Sequence, residues 1–330
     1  MSRAVLRMLS AAFVGILVAC AAFGASPSYA QSKYPDRPIR IVVPYGPGGV
    51  ADVTARLVAD KVSQSMGQSF VIENRPGAGM IAGAKAVQSS PADGYTLLLA
   101  GNGQSIVESL FKTLPFKIVD DFVPIAALAE FEIILATKAE SKFDTVQKLV
   151  EYAKANPGKL NFGTITTGST QNLAAELFKM TTGIEASLIP FRTTGDLMTA
   201  IMRGDVDVGF DFMAALGSSI TGKQMTAIAT AGEERNEQLP NVPTVKESGF
   251  PTYVVTSWNA FYGPAGVPKD VIAKLSEHVA AAVKTEDIRK RMGDLGMRPM
   301  AATPEIVDKR MRSEIAKWAE VIKVAGIEKQ

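Results

Sequence analysis

Two short loops contain the residue types that bind an anion without a charged side chain. The first is PYGPGGVAD, residues 44–52, and the second is GTITTGSTQN, residues 163–172. Each loop follows a predicted strand and opens a predicted helix. Glycine lets the backbone approach a ligand closely, and the first turn of a helix supplies unpaired N–H groups and the positive end of the helix dipole. We therefore predict an anion-binding site at each of these helix starts.

The second loop adds a surplus of hydroxyl groups. Its hydroxyl side chains are those of Thr164, Thr166, Thr167, Ser169 and Thr170. A helix N-terminus needs only one such residue as a cap, and each hydroxyl can both donate and accept a hydrogen bond. The surplus favours ligand binding over a plain capping role. We expect the two loops, one in each half of the chain, to hold a ligand from two sides.

The first loop also fits the dinucleotide-binding pattern G-x-G-x-x-G/A. The pattern runs from Gly46 to Ala51, and Glu73 stands where a ribose-binding acid would belong. Against this reading, Pro47 removes an amide from the loop, and Asp52 would place a negative charge beside a pyrophosphate. No Gly-Lys-Ser/Thr follows, so the loop is not a Walker A motif. A dinucleotide-dependent oxidoreductase is the remote alternative.

The composition argues against several kinds of site. The chain has 330 residues, with one His, one Cys, 35 Lys+Arg and 33 Asp+Glu. A His-based triad, a multi-His metal site and a zinc–cysteine cluster need more of these residues than the chain has. The numbers of basic and acidic residues are nearly equal, so the chain lacks the excess of positive charge that is typical of nucleic-acid-binding proteins. We therefore predict no catalytic residue, no metal site, no cofactor and no nucleic-acid partner.

The N-terminus is typical of a bacterial export signal. A short basic segment, 1–7, precedes an apolar run, 11–25, and SYA at 28–30 forms an A-x-A-like cleavage pattern. The apolar run is shorter than the roughly 20 residues that a membrane-spanning helix needs. We predict cleavage near Ala30 and a periplasmic protein. The segment LVAC, ending at Cys20, also resembles a lipobox, so a lipid-anchored protein is the alternative.

The rest of the chain alternates predicted strands and helices. Predicted strands lie at 39–44, 70–73, 95–100, 133–137, 160–164, 187–191, 206–210 and 254–262. Predicted helices lie at 52–66, 81–89, 146–155, 172–180, 197–203, 271–283 and 304–324. This alternation predicts an α/β fold with a mainly parallel sheet that helices cover on both faces.

The same order of elements predicts two lobes after the signal peptide of residues 1–30. Residues 31–131 together with 254–330 would form lobe 1, and residues 132–253 would form lobe 2. The chain would then cross between the lobes twice, near Phe131 and near Tyr253. Two crossing segments form a hinge and leave a cleft between the lobes.

Several short segments that follow one another along the chain after the signal are together typical of one protein family. They are YPDRPIRIVVP (34–44), PGGVAD (47–52), ENRPGAG (73–79), DGYTL (93–97), NFG (161–163), GS (168–169), PFR (190–192), GDVD (204–207), FD (210–211), LPNVPT (239–244) and TSW (256–258). Together they resemble the periplasmic solute-binding proteins of the tripartite tricarboxylate transporter family, also called Bug or TctC-like receptors. The resemblance covers nearly the whole chain after the signal.

The resemblance implies a type II periplasmic-binding-protein fold, with two α/β lobes whose sheets are flanked by helices. It implies that both loops hold a ligand carboxylate. In the first loop the implied residues are Tyr45, Gly46, Pro47, Gly48, Gly49, Val50 and Asp52. In the second they are Thr164, Thr166, Thr167, Gly168, Ser169 and Asn172. Asp211 would lie at the cleft and contact the distal group of the ligand, with Arg192 near it, and Trp258 would lie near the lobe junction.

This sequence departs from the usual residues of the family at three places in or near the expected pocket. Asn172 stands where His is common, and Phe212 follows Asp211 where Asn is common. The loop after the third strand reads GNGQSIVE, with Asn102 and Gln104, where a His and an Asn-Pro are usual. These departures leave the identity of the carboxylate open, and Phe212 favours an apolar or aromatic portion of the ligand.

The function predicted from these observations is that of a monomeric, non-enzymatic receptor. It would bind a small carboxylate, whether a di- or tricarboxylate, an amino acid or an aromatic acid. It would deliver this ligand to the integral-membrane permease subunits of a tripartite transporter. A periplasmic sensing subunit that serves a signalling partner would use the same binding chemistry and is the alternative.

Overall fold

The computed structural model of the protein describes residues 34–77 and 80–330. The chain divides into two units, Met1–Asp36 and Arg37–Gln330, and every element given below lies in the second. The predicted export signal, its cleavage site near Ala30 and the lipidation candidate Cys20 fall outside the described residues. Among the described helices, none is long and apolar enough to cross a membrane.

Strands and helices alternate along most of the second unit. The strands are β1 (Ile39–Val43), β2 (Phe70–Asn74), β3 (Thr96–Gly101), β4 (Phe122–Lys138), β5 (Leu160–Ile165), β6 (Ala186–Phe191), β7 (Val208–Phe212), β8 (Met225–Thr230), β9 (Thr256–Pro264) and β10 (Met297–Pro299). The helices are α1 (Val50–Met66), α2 (Ile81–Gln88), α3 (Asn102–Leu110), α4 (Ile118–Asp121), α5 (Val146–Ala155), α6 (Thr170–Thr182), α7 (Thr194–Arg203), α8 (Met213–Thr221), α9 (Lys269–Lys284), α10 (Glu286–Asp294) and α11 (Pro304–Val324).

The strands form one mixed sheet in the spatial order β2-β1-β3-β9-β4-β7-β5-β6, with β8 and β10 also paired to β4. β1 lies parallel to β2 and β3, and β5 lies parallel to β6 and β7. Every pairing of β4 and β9 is antiparallel. The prediction of a mainly parallel sheet is therefore wrong at the centre of the sheet. The alternation of elements shows where strands occur, but it does not show that β4 and β9 run back in the opposite direction.

The long strand β4 connects the two halves of this sheet. Its first part, 122–132, pairs with β9, and its last part, 133–138, pairs with β7 and β8. Two register shifts interrupt the pairing with β9, so the strand bends as it crosses. The crossing from one half to the other falls close to the predicted lobe boundary near Phe131. The division into lobes stays a prediction.

Apolar periodicity explains why the helices pack against the sheet. Helix α5 buries Val146, Leu149, Val150 and Ala153, which lie on one face of a helix, and Thr145 caps its N-terminus by accepting a hydrogen bond from the Lys148 N–H at 3.2 Å. All residues of β3 and of β9 are buried, and most residues of β3 are apolar. Such strands are typical of a sheet covered on both faces.

The predicted elements match the structure best where the periodicity is long and clear. Helices α5 and α11 begin and end as predicted, and most other predicted elements are shifted by one to three residues. The sequence did not predict α3, α4, α8, α10, β8, β10 or the first part of β4. Helices α1 and α6 directly follow the two glycine-containing loops, as expected.

Candidate functional site

A cavity of about 330 Å³ lies where several helices begin. Its lining residues are Tyr45, Gly49, Val50, Ala51, Met80, Gly103, Ile106, Val107, Phe131, Gly168, Ser169, Thr170, Gln171, Phe212, Ser257, Trp258 and Asn259. The first turns or N-caps of α1, α3, α6 and α8 all contribute to this lining. First-turn N–H groups have no acceptor within their own helix, and helix N-termini carry a partial positive charge. The cavity is therefore suited to an anion.

The two loops have the same local geometry. In each, a glycine with positive φ, +82° at Gly48 and +79° at Gly168, donates its N–H to the side chain four residues later. The acceptors are Asp52 Oδ2 at 2.9 Å and Asn172 Oδ1 at 3.1 Å. The helix then begins two residues after the glycine in both cases. This bond directs the chain into the helix, so Asp52 and Asn172 shape the two helix starts.

The negative charge of Asp52 is balanced within the first loop. Its carboxylate is 2% exposed, lies 3.0 Å from the Arg56 guanidinium and accepts a hydrogen bond from Asn74 Nδ2 at 2.8 Å. Burial alone would raise the pKa of Asp52, but the bonds from Arg56, the Gly48 amide and Asn74 outweigh it and lower the pKa. Asp52 therefore stays ionised at neutral pH, and Arg56 offsets its repulsion of an anion.

The second loop is held by side chains beneath it. Ser169 is the N-cap of α6 and accepts a hydrogen bond from the Asn172 N–H at 3.1 Å. Asn172 Nδ2 donates to the buried Thr164 Oγ1 at 3.2 Å. Gly168 packs so tightly that a Cβ there would lie 2.5 Å from Leu110 Cδ2. The positive φ favours glycine at this position, and any side chain there would also have to displace Leu110.

A buried asparagine joins the starts of α3 and α6. Asn102 Nδ2 donates to Thr170 Oγ1 at 2.8 Å, and Trp318 Nε1 donates to Asn102 Oδ1 at 2.8 Å. Gln104 Oε1 accepts the Gly101 N–H at 2.8 Å and so fixes the entry into α3. Asn102 and Gln104 are completely buried and lie outside the cavity lining. Both residues therefore position the helix starts.

Tyr45 lies against the first turn of α3. A Cβ at Gly103 would collide with the Tyr45 hydroxyl, so a side chain at this position would push the phenol away. Burial raises the pKa of Tyr45 to about 12. The phenol is consequently protonated at neutral pH and keeps its hydrogen-bond donor.

Asp211 lies behind the lining, where its carboxylate oxygens already accept hydrogen bonds. Gln171 Nε2 and the Phe212 N–H donate to Oδ1 at 2.9 and 2.8 Å, and Thr194 Oγ1 donates to Oδ2 at 2.7 Å. Burial raises the pKa of Asp211, and these bonds oppose the rise. Asp211 thus orients Gln171, which does line the cavity.

The structure brings six of the predicted ligand-binding residues into the lining of this cavity. They are Tyr45, Gly49, Val50, Gly168, Ser169 and Thr170. The predicted residues outside the lining whose hydrogen bonds hold the helix starts are Gly48, which is exposed, and Asp52, Asn102, Gln104, Thr164, Asn172 and Asp211, which are buried. Those on exposed positions outside the lining are Gly46, Pro47, Thr166, Thr167 and Arg192. A role of each in binding stays a prediction.

Sequence reasoning missed much of the cavity wall. Ile106 and Val107 lie on α3, which was not predicted, and Phe131 lies on the unpredicted part of β4. Gln171 stands inside the second loop and could have been found there. Ser257 belongs to the segment TSW, which marked the family but was not assigned to the pocket. Met80 and Asn259 have no local pattern that marks them, because their place depends on the tertiary fold.

A larger groove of about 930 Å³ lies elsewhere, between α9, α10, β10 and residues 236–238. Its lining mixes basic side chains, such as Arg289 and Lys290, with acidic ones, such as Glu286 and Asp294. Neither glycine-containing loop reaches it. The smaller cavity at the helix starts is therefore the candidate site.

Comparisons with known proteins show the family of this chain. A family model described as the tripartite tricarboxylate transporter family receptor, TctC, matches residues 54–327. The chain belongs to this receptor family. As a TctC receptor it is similar to the protein BugT of Bordetella pertussis, with 33% identity over 96% of this chain and 97% of that protein.

Solved structures of related proteins share the fold. The TctC receptor is similar to R. palustris Rpa4515 with adipate, at 31% identity and a TM-score of 0.76, over 89% of this chain and 99% of that one. It is also similar to MatC of Rhodopseudomonas palustris with bound malate, at 29% identity and a TM-score of 0.73, over 88% and 100%. The predicted α/β periplasmic-binding-protein fold is confirmed. Malate and adipate are carboxylates, the ligand class predicted for the two loops.

Proposed function

We propose that this protein is a periplasmic receptor that binds a small carboxylate in the cavity at the helix starts. It then delivers the carboxylate to the membrane subunits of a tripartite transporter, without catalysing a reaction. The observation that carries the proposal is the convergence of four helix N-termini on one cavity. This arrangement supplies hydrogen-bond donors and a positive potential to an anion.

Binding would use the groups that the geometry leaves free. First-turn amides of α1 and α6, the Ser169 hydroxyl and the Tyr45 phenol can donate to a carboxylate. The predicted lobes would close over the ligand, with β4 and β9 as the crossing segments. The closed form would then be what the membrane subunits recognise, which makes ligand binding the signal for delivery.

Calorimetric titration with matched pairs of ligands tests the binding step. The pairs are adipate with adipamide and benzoate with benzamide. The two members of each pair have nearly the same shape but differ in charge. We expect at least one carboxylate to bind with micromolar affinity, roughly 8 kcal/mol, and neither amide to bind. Equal binding of an amide and its acid would contradict the proposal, as would the absence of any carboxylate ligand in a wider screen.

Delivery is tested by uptake in cells. Accumulation of the labelled carboxylate should fall when the gene for this receptor is deleted and recover when it is restored. Unchanged uptake, with a transcriptional response that is lost instead, would favour the sensing role.

A further inference from the structure

We infer that the preferred ligand of this cavity is a monocarboxylate with an apolar, ring-containing body, and that Phe212 selects for that body. The inference rests on the proposed function, because it assumes that a carboxylate binds at the helix starts. The inference goes beyond the proposed function because it specifies the chemical nature of the ligand apart from its carboxylate. Three observations on the cavity wall carry it.

The first observation is the absence of charge in the wall. None of the lining residues that the structure describes is acidic or basic. The nearest ionised group of the first loop, Asp52, is already paired with Arg56 behind the lining. The lining therefore offers no cation to a second carboxylate on the ligand. Arg310 lies over the Trp258 ring, 5.1 Å from its centroid, but it is already paired with Glu130. Burying a charge without a partner is unfavourable.

The second observation is an aromatic pair in the wall of the cavity. Phe131 on β4 and Phe212 at the end of β7 both line the cavity, and their rings meet edge to face, with centroids 5.2 Å apart and an interplanar angle of 82°. Aromatic side chains in this arrangement present a surface that a further ring can join by stacking or by an edge contact. The negative faces of these rings do not attract a carboxylate.

The third observation is the aliphatic side of the wall and the size of the space. Met80, Ile106 and Val107 complete the apolar lining, and methionine adapts its shape to an aromatic neighbour. The volume is about 330 Å³, whereas a dry cavity of about 150 Å³ suffices for benzene. The space thus accepts one ring with a short linker and a carboxylate.

Two lining residues, Trp258 and Asn259, each carry a buried nitrogen without a hydrogen-bond partner among the described residues, and Asn259 is the better placed for a neutral substituent. Trp258 and Ala260 belong to the apolar core, so alternation along β9 places Ser257 and Asn259 on the opposite face of the strand. Asn259 Nδ2 is buried and has no hydrogen-bond partner within the described residues. An amide donor of this kind suits a hydroxyl or carbonyl oxygen on the ring, and it would not neutralise a second charge.

The decisive experiment is a calorimetric titration of the purified, extensively dialysed protein with benzoate, phenylacetate, 3-phenylpropionate, terephthalate and adipate. We expect the best aryl monocarboxylate to bind at least about tenfold more tightly than terephthalate or adipate. The reason is that a second carboxylate would be buried without a cation in the lining. Tighter binding of a dicarboxylate than of every aryl monocarboxylate would overturn the inference and leave the proposed function standing. Failure of all carboxylates to bind would overturn both.

Two variants separate the role of Phe212 from a general effect on folding. Phe212→Leu should weaken the best aryl monocarboxylate by about three- to tenfold and weaken adipate by clearly less, since an aromatic contact is lost. Phe250→Leu, at a partly buried phenylalanine outside the lining, should change neither affinity. An equal loss for both ligands in Phe212→Leu, or an unchanged aryl affinity, would contradict a selective role.

Discussion

At the scale of single residues, the two helix starts differ in one informative way. Both glycine amides are held by a side chain four residues later, but the acceptor is a carboxylate at Asp52 and an amide at Asn172. The carboxylate accepts bonds from three groups, whereas the amide both accepts and donates. The charge at position 52 is therefore matched to Arg56 and Asn74, and a neutral amide could not replace it without loss.

The variant Asp52→Asn tests this matching. The new side chain can still accept the Gly48 N–H through Oδ1, as Asn172 does at the other loop, but its NH₂ would then face the NH₂ of Asn74. We expect the free energy of unfolding at pH 7 to fall by about 1–3 kcal/mol. Urea unfolding measures it, and Asp60→Asn, at an exposed position of the same helix, is the control.

The stability difference between wild type and Asp52→Asn should depend on pH in a defined direction. The folded-state pKa of Asp52 lies below its ordinary value of 3.8, so its contribution to stability is present above that value and disappears as the pH falls through the folded pKa. The difference between wild type and Asp52→Asn should therefore be constant from pH 7 to about pH 5 and then shrink. A difference that persists in strong acid would mean that the charge of Asp52 is not what stabilises the loop.

At the scale of elements, the helix caps allow stability and binding to be separated. Ser169 caps α6 at the cavity, and Thr145 caps α5 away from it, each by accepting a hydrogen bond from the N–H three residues later. Each replacement by alanine should lower the free energy of unfolding by about 1 kcal/mol. Only Ser169→Ala should also weaken carboxylate binding, by roughly two- to tenfold, because one hydrogen bond to the ligand is lost.

Thermal unfolding and calorimetric titration of the two cap variants check these outcomes side by side. Equal stability losses with a binding defect confined to Ser169→Ala would show that the hydroxyl acts on the ligand. A binding defect of the same size in Thr145→Ala would instead show that loss of stability alone weakens binding, and the assignment of Ser169 as a ligand donor would fail.

The elements also show what the sequence could and could not reveal. The two loops were predictable because glycines, hydroxyls and the switch from strand to helix are local signals. Helix α3 begins with Asn-Gly, which usually marks a turn, and its first residues are instead fixed by contacts with Thr170 and Trp318. The apolar wall that α3 contributes, Ile106 and Val107, was therefore missed with it.

Strand β4 is the clearest case of tertiary structure overriding local preference. Its first part, FVPIAALAEFE, contains a proline, three alanines and two glutamates, residue types that are uncommon in strands. Pairing with β9 along 122–132 makes it a strand nevertheless. Phe131, half of the aromatic pair in the cavity, lies on this segment, so the sequence pointed to Phe212 of that pair and missed Phe131.

At the scale of the whole molecule, an ionic cluster lies where β4 passes from one half of the sheet to the other. Arg298 of β10 lies 2.8 Å from Glu132 Oε1 and 3.3 Å from Glu130 Oε1. Arg310 of α11 lies 2.6 Å from Glu130 Oε2 and donates to Thr256 Oγ1 of β9 at 2.7 Å. Two strands, the C-terminal helix and the crossing strand thus meet at one group of charges.

Glu132 depends more than the other members of this cluster on its ion pair, because its side chain is 1% exposed and water cannot solvate its charge. Burial raises the pKa of Glu132 above its ordinary value of 4.5, and Arg298 opposes the rise. A carboxyl group whose pKa is raised by folding destabilises the folded state as the pH rises from that ordinary value through the folded pKa. Arg298 limits this penalty at neutral pH.

Removing Arg298 should therefore weaken the whole fold in a pH-dependent way. We expect Arg298→Met to lower the free energy of unfolding at pH 7 by about 3 kcal/mol, the lower end for a broken buried ion pair, since Arg298 is 29% exposed. The loss should be smaller at pH 5, where more Glu132 is protonated, and the double variant Arg298→Met/Glu132→Gln should regain most of it. Arg312→Met, in an exposed pair with Asp308, should cost at most about 1 kcal/mol at either pH. If the loss in Arg298→Met is the same at both pH values, and Glu132→Gln does not restore it, then packing of the arginine stem and not its charge holds the crossing strand in place.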